Sequence, residues 1–281
     1  MNYRHIYHAG NCADVLKHAV LARLIDYLKL KDKPFRVIDT HAGIGVYDLS
    51  SEEAQKTGEW QGGIGRLLGK DLPKDVAPLL APYLDAVRAL NAESNVRLYP
   101  GSPKLARMLL RKEDRLSLME LHPADYETLR GHFEGDFQTR VIHLDGWLAL
   151  NAHLPPKEKR GLVLVDPPFE EPNEYQRLAD GLAKAWRRFP GGVYCLWYPL
   201  KRGAPVKDFM KSLHALEIPK MLSVELSVKS ERADGLAGSG LVIVNPPYTL
   251  KGELDILLPF LKEQLAQDRF ASVRNVWIRG E

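Results

Sequence analysis

Apolar residues recur at helical spacing near the start of the chain, at Val15, Leu16, Ala19, Val20, Leu24 and Leu28, which predicts a helix running to about Leu30. The polar stretches Tyr3-Arg4-His5 and His8-Ala9-Gly10-Asn11 predict an irregular arm ahead of it. Phe35-Arg36-Val37-Ile38-Asp39 reads as a short strand, left through the turn Thr40-His41-Ala42-Gly43-Ile44-Gly45. Between 51 and 95 the pattern changes to helical segments, Gly62 to Leu68 and Val76 to Leu90, broken by Gly and Pro. No strand is predicted there, so 51–95 reads as a helical subdomain inserted into a domain made of 1–50 and 96–281.

Beyond it, helix and strand alternate: helix 103–111, strand 116–120, helix 124–133, strands 141–144 and 162–165, helix 174–188, strand 192–197, helix 206–216, and strands 221–228 and 241–244. Strands separated by helices imply parallel βαβ units. Only the loop 229–240 separates the last two strands, which leaves no room for a crossover and makes them antiparallel neighbours. The expected fold is α/β and Rossmann-like, a mostly parallel seven-stranded sheet ending in an antiparallel hairpin. That outline resembles the class I methyltransferases.

The 281 residues, 45% hydrophobic and 27% charged, suffice for such a domain and its insertion. A formal net charge of +3 admits a nucleic-acid partner without requiring one. Cys12 and Cys195 lie far apart with no Cys-x-x-Cys or Cys/His spacing, so no metal site is expected. The start of the chain lacks a signal-peptide pattern, and no apolar run approaches the roughly 20 residues of a membrane span. A cytoplasmic protein without a membrane partner is the expectation.

Candidate chemistry lies at strand ends. Val37-Ile38-Asp39-Thr40-His41-Ala42-Gly43-Ile44-Gly45 places an acidic residue and a Gly-x-Gly turn where doubly wound sheets bind ligands. Asp48 occupies the third glycine position of the dinucleotide fingerprint, which weakens a nicotinamide reading. Glu120 and Asp145 follow at the ends of the next two strands, suited to ribose hydroxyls and an adenine amino group. Asp166-Pro167-Pro168-Phe169 ends the fourth. Its prolines stiffen the turn and leave carbonyls free to accept, so an amino-bearing base can meet Asp166 and a carbonyl together. A rival of the same shape, Asn245-Pro246-Pro247-Tyr248, ends the final hairpin and is read as structural.

With Tyr3-Arg4-His5 and Tyr99-Pro100-Gly101-Ser102-Pro103, this ordered set resembles the RlmJ-type bacterial 23S ribosomal RNA adenine-N6 methyltransferases over nearly the whole chain. The resemblance implies S-adenosylmethionine as cofactor, bound by His18, His41, Ser102, Glu120, Asp145, Gly146 and Asp166, with Asp166 also catalytic. His41 is expected to donate to the methionine carboxylate. It implies 23S ribosomal RNA as partner, touched by Tyr3, while Phe169 stacks on the target base in place of the Tyr common in the motif. No obligate protein partner is evident and a monomer is expected. The alternatives are methylation of guanine N2 in RNA or adenine N6 in DNA, and a non-catalytic RNA-binding factor.

Overall fold

The computed structural model describes residues 4–91 and 96–280. Asn11 opens the first long helix, α1 (Cys12–Lys29); its side-chain oxygen accepts from the N–H groups of Ala13 and Asp14, supplying partners that a first helical turn otherwise lacks. Burial is not confined to one face of α1, because Asp14, Lys17 and His18 are buried together with the apolar positions.

The chain continues through β1 (Arg36–Asp39), β2 (Val46–Asp48), α2 (Glu52–Thr57), α3 (Ala77–Ala89), β3 (Leu98–Pro100), α4 (Ser102–Leu109), β4 (Arg115–Glu120), α5 (Pro123–His132), β5 (Thr139–His143), α6 (Gly146–Ala152) and β6 (Gly161–Val165). It ends with α7 (Glu174–Arg188), β7 (Val193–Lys201), α8 (Val206–Ala215), β8 (Met221–Ser227), β9 (Leu236–Val244), α9 (Leu250–Leu265) and β10 (Ser272–Arg279).

Eight strands form one sheet in the order β10-β8-β9-β7-β6-β1-β4-β5. From β7 to β5 all neighbours are parallel, whereas β9 runs antiparallel to both β7 and β8. The seven expected strands are present in the class I arrangement. An eighth, β10, adds antiparallel to β8 at the edge; its Ser-Val-Arg-Asn-Val-Trp-Ile-Arg sequence is half-exposed, which is why no buried run announces it. Helix α9 was likewise not among the expected elements.

The helices make two core layers, and β6 shows how a strand serves both. Leu162 and Leu164 face the layer with α1, α3, α4 and α9, while Val163 and Val165 face the one with α6, α7 and α8. A strand covered on both sides must be apolar at every position, as Gly-Leu-Val-Leu-Val is. The inserted segment shares the first layer: Leu80, Tyr83, Leu84 and Val87 of α3 are fully buried in it. Burying Leu80, Leu84 and Val87 contributes about 1.5–3 kcal/mol each. The segment is flanked by the ribbon in which β2 and β3 pair antiparallel.

Candidate active site

Strand β1 lies between β4 and β6, so the chain proceeds to one side of β1 and later returns on the other. Such a reversal opens a crevice at the carboxyl ends of the strands. A cleft of about 280 Å³ lies there, and its walls include His18, His41, Ser102, Glu120, Asp145, Gly146 and Asp166. Seven of the nine expected site residues, scattered over 149 positions of sequence between His18 and Asp166, are thereby brought together.

The floor is the glycine turn. Gly43 and Gly45 adopt φ of 63° and 86°, and a Cβ on Gly43 would meet the Tyr47 hydroxyl at 2.4 Å. The Gly43 N–H donates to Glu120 Oε2 at 2.8 Å and the His122 N–H to Oε1 at 2.8 Å, tying two strand ends together. Burial pushes the Glu120 carboxyl above its usual range despite these bonds. Ser102, in the first turn of α4, donates to Asp39 Oδ2 at 2.6 Å, and burial pushes Asp39 up to about 6.

The wall beyond β5 is built by Asp145, which caps α6 by accepting from the Trp147 N–H at 2.9 Å and lies 3.6 Å from the Arg177 guanidinium. Gly146 cannot be replaced without movement, since a Cβ would sit 2.0 Å from the Thr40 carbonyl oxygen. His41 packs edge-on against Trp147 at 5.4 Å. Burial, then Arg177, push its pKa down to about 3, so the ring is neutral at neutral pH. The Thr40 hydroxyl donates to the Leu164 carbonyl at 3.0 Å, so its 2.8 Å contact with His41 Nδ1 is one in which Nδ1–H donates. His41 therefore carries its proton on Nδ1, committed to Thr40, and its Nε2 is an acceptor, which differs from the donor to a methionine carboxylate expected from the sequence.

Asp166 is held by a residue that the sequence patterns do not single out. Its Oδ2 is ion-paired with Lys17 Nζ, which also lies 2.8 Å from Asp14 Oδ1. Asp14 Oδ2 in turn meets the Gly10 N–H at 2.8 Å and His5 Nε2 at 3.0 Å. Lys17 and Asp14 are only 4% and 1% exposed, so these charges act with little screening. Burial opposes charging Lys17, but Asp14 and Asp166 outweigh it and hold the ammonium well above its usual range. Burial likewise opposes the Asp14 carboxylate, and His5 and Lys17 outweigh it to hold Asp14 well below its own. No local signal marks Lys17, because α1 also carries Arg23, Asp26 and Lys29.

Phe169 does not line the cleft. Its φ of 51° turns the ring against Tyr175 and Trp197, edge-on at 4.8 and 5.6 Å, into the layer beneath the turn, while Pro167 and Pro168 remain on the cleft wall. Tyr3 lies outside the described residues.

The chain matches the family described as Ribosomal RNA large subunit methyltransferase D, RlmJ, over residues 32–279. It is 44% identical over 283 residues to Ribosomal RNA large subunit methyltransferase J of Escherichia coli (strain K12), covering all of both chains. It is 43% identical over 284 residues to the protein of the same name from Haemophilus influenzae, again over all of both. Among solved structures, the crystal structure of protein LPL1258 from Legionella pneumophila superposes with a TM-score of 0.88 at 37% identity, covering 96% of this chain and 98% of that one.

Proposed function

This chain belongs to the RlmJ family, and from that premise we propose that it is an S-adenosylmethionine-dependent methyltransferase acting on the N6 amino group of an adenine in 23S ribosomal RNA. The observation that carries the reading is the placement of Asp166-Pro167-Pro168 at the switch point, with one Asp166 oxygen committed to Lys17 beside the glycine turn.

The donors and acceptors of the cleft fit the cofactor. Glu120 would accept from ribose hydroxyls, Asp145 and Gly146 would flank the adenine ring, and His18, His41 and Ser102 would surround the methionine end. The Nε2 of His18, buried and without a hydrogen-bond partner, is a polar atom that such a ligand would satisfy. When bound, S-adenosylmethionine supplies an electrophilic methyl group.

Adenine N6 is a weak nucleophile because its lone pair is delocalised into the ring. Asp166 and the Pro167 carbonyl would accept the two N–H hydrogens and turn the nitrogen toward its target. Lys17, paired with Oδ2, fixes the carboxylate for this task. Orientation of this kind is worth roughly 7–11 kcal/mol of barrier. A strong base is unnecessary, because the nitrogen becomes acidic as the bond to carbon forms and its proton then leaves readily.

The base has to leave its stack to reach the cleft, at a cost of a few kcal/mol, which favours a loop or exposed strand. In this reading Tyr3 and the arm close over the RNA, and 51–95 serves as an insertion in the catalytic domain 1–50 and 96–281. Phe169 would stack on the base by leaving Tyr175 and Trp197, and otherwise supports the turn from beneath. The enzyme acts in the cytoplasm as a monomer. Incubation of the purified protein with labelled S-adenosylmethionine and unmodified 23S RNA, followed by nucleoside mass analysis, should yield N6-methyladenosine. Label in N2-methylguanosine, label in DNA alone, or no transfer would overturn the reading.

A further inference from the structure

A buried polar chain runs from the inserted segment to the cleft. Tyr83 on α3 and Tyr99 on β3 are fully buried, with their hydroxyl oxygens 2.9 Å apart, and the Tyr99 hydroxyl lies 2.7 Å from His18 Nδ1. The His18 ring stacks on Tyr99 at 5.5 Å and meets Tyr83 edge-on at 6.1 Å, which fixes its plane. Its other nitrogen, Nε2, has no hydrogen-bond partner and lies 4.0 Å from Asp14 Oδ1.

Either order of this chain leaves one buried proton unpaired, so the Asp14 carboxylate beside His18 decides its direction. If Tyr83 donates to Tyr99 and Tyr99 to Nδ1, each buried hydroxyl proton has an acceptor and the imidazole proton sits on Nε2. In the reverse order Nδ1–H donates to Tyr99 and Tyr99 to Tyr83, and the unpaired proton is then that of the Tyr83 hydroxyl rather than one on Nε2. The first order is favoured because its unpaired proton, on Nε2, lies beside the Asp14 carboxylate, 4.0 Å away, which attracts it. Burial pushes His18 down to about 3, so the ring stays neutral, and burial pushes both phenols up, so they stay donors.

We infer that Tyr83 and Tyr99 are positioning residues that hold His18 as its Nε2–H tautomer, so that the cleft presents a fixed neutral donor to a hydrogen-bond acceptor of the ligand. The identity of that ligand rests on the cofactor reading above, in which the methionine carboxylate is the acceptor that suits this donor. The inserted segment thus sets the polarity of one point in the cofactor site without touching the cofactor.

The test is nitrogen-15 spectroscopy of histidine-labelled protein, free of ligand, with S-adenosylmethionine affinity by calorimetry alongside. Wild-type His18 should show a pyridine-like Nδ1 and a pyrrole-like Nε2. Tyr99→Phe should move the ring toward the opposite tautomer and weaken binding about tenfold, the worth of one hydrogen bond in a dry site; Tyr83→Phe should act in the same direction by less. In a His18→Gln background, where the amide supplies the N–H, Tyr99→Phe should no longer change affinity. An Nδ1–H tautomer in the wild type, or an unchanged tautomer in folded Tyr99→Phe, overturns the inference. If Tyr99→Phe does not fold, the wild-type and Tyr83→Phe spectra decide it. The expected tautomer in a wild-type protein that binds no S-adenosylmethionine would overturn the cofactor reading and leave the relay standing.

Discussion

The two Pro-Pro turns of this chain share a shape and differ in everything else. Asp166-Pro167-Pro168-Phe169 leaves β6 at the carboxyl ends of the parallel strands, whereas Asn245-Pro246-Pro247-Tyr248 leaves β9 beside the start of β7, at the opposite end of those strands. The first presents a carboxylate to the cleft and to Lys17. The second turns its polar group inward: Asn245, at φ 52°, donates its amide hydrogens to the carbonyls of Pro190 and Gly192, each at 2.8 Å. The aromatic ends are reversed as well, with Phe169 packed under its turn and Tyr248 86% exposed. A motif of this kind acquires chemistry only from the direction of the strand that carries it.

Removing the acidic end of the first turn should have the largest effect. Asp166→Ala is expected to lower methyl transfer by at least about a hundredfold, the cost of losing one oriented polar group at a reacting atom, while S-adenosylmethionine binding weakens only in part. Single-turnover rates and calorimetry measure the two, and full activity would erase the distinction between the turns.

At the opposite end of the parallel strands, Asn245→Ala should cost about 2 kcal/mol of stability, because two carbonyls lose their donors and Ala tolerates positive φ less well than Asn. Asn245→Gly, which relieves the backbone, should cost less, and turnover of either folded variant should match the wild type. Lost turnover at unchanged stability would reverse the assignment of roles.

The cleft and the Asn245 turn should also differ in their response to acid. His18 has a folded-state pKa lowered to about 3 from an ordinary 6.5. The unfolded chain therefore binds the extra proton first, and stability falls as pH drops below 6.5. Between pH 7 and 5 this amounts to about 2 kcal/mol. Urea midpoints should show the wild type losing that much more than His18→Gln over the same interval, with Asn245→Ala keeping the wild-type slope. Equal losses in wild type and His18→Gln would show that His18 is not held neutral.

The smallest effect belongs to Tyr248→Ala, within about 0.5 kcal/mol in stability for so exposed a side chain, with activity unaltered. A clear loss of RNA binding in that variant would give the second turn a function of its own.

Much of this site is visible in the sequence because it depends on local features. Gly43 and Gly45 mark a turn that needs positive φ, and Asp145 marks a helix start. Leu162 to Val165 mark a strand buried on both faces. Lys17 is invisible by the same logic: its partner Asp166 is 149 residues away, and a lysine on a helix ordinarily faces water. The packing of Phe169 is hidden because local sequence places an aromatic after the turn without fixing its φ, and β10 is missed because an edge strand needs no continuous apolar run.

The sequence by itself thus determined seven of the eight strands of the main sheet and which acidic and glycine residues stand at their ends, since these follow from side-chain periodicity and backbone sterics over a few residues. Only the tertiary structure decided which lysine holds Asp166, where the Phe169 ring packs, and which buried groups His18 and His41 meet. Those outcomes depend on burial of paired charges and on contacts between distant segments, and no local pattern encodes them.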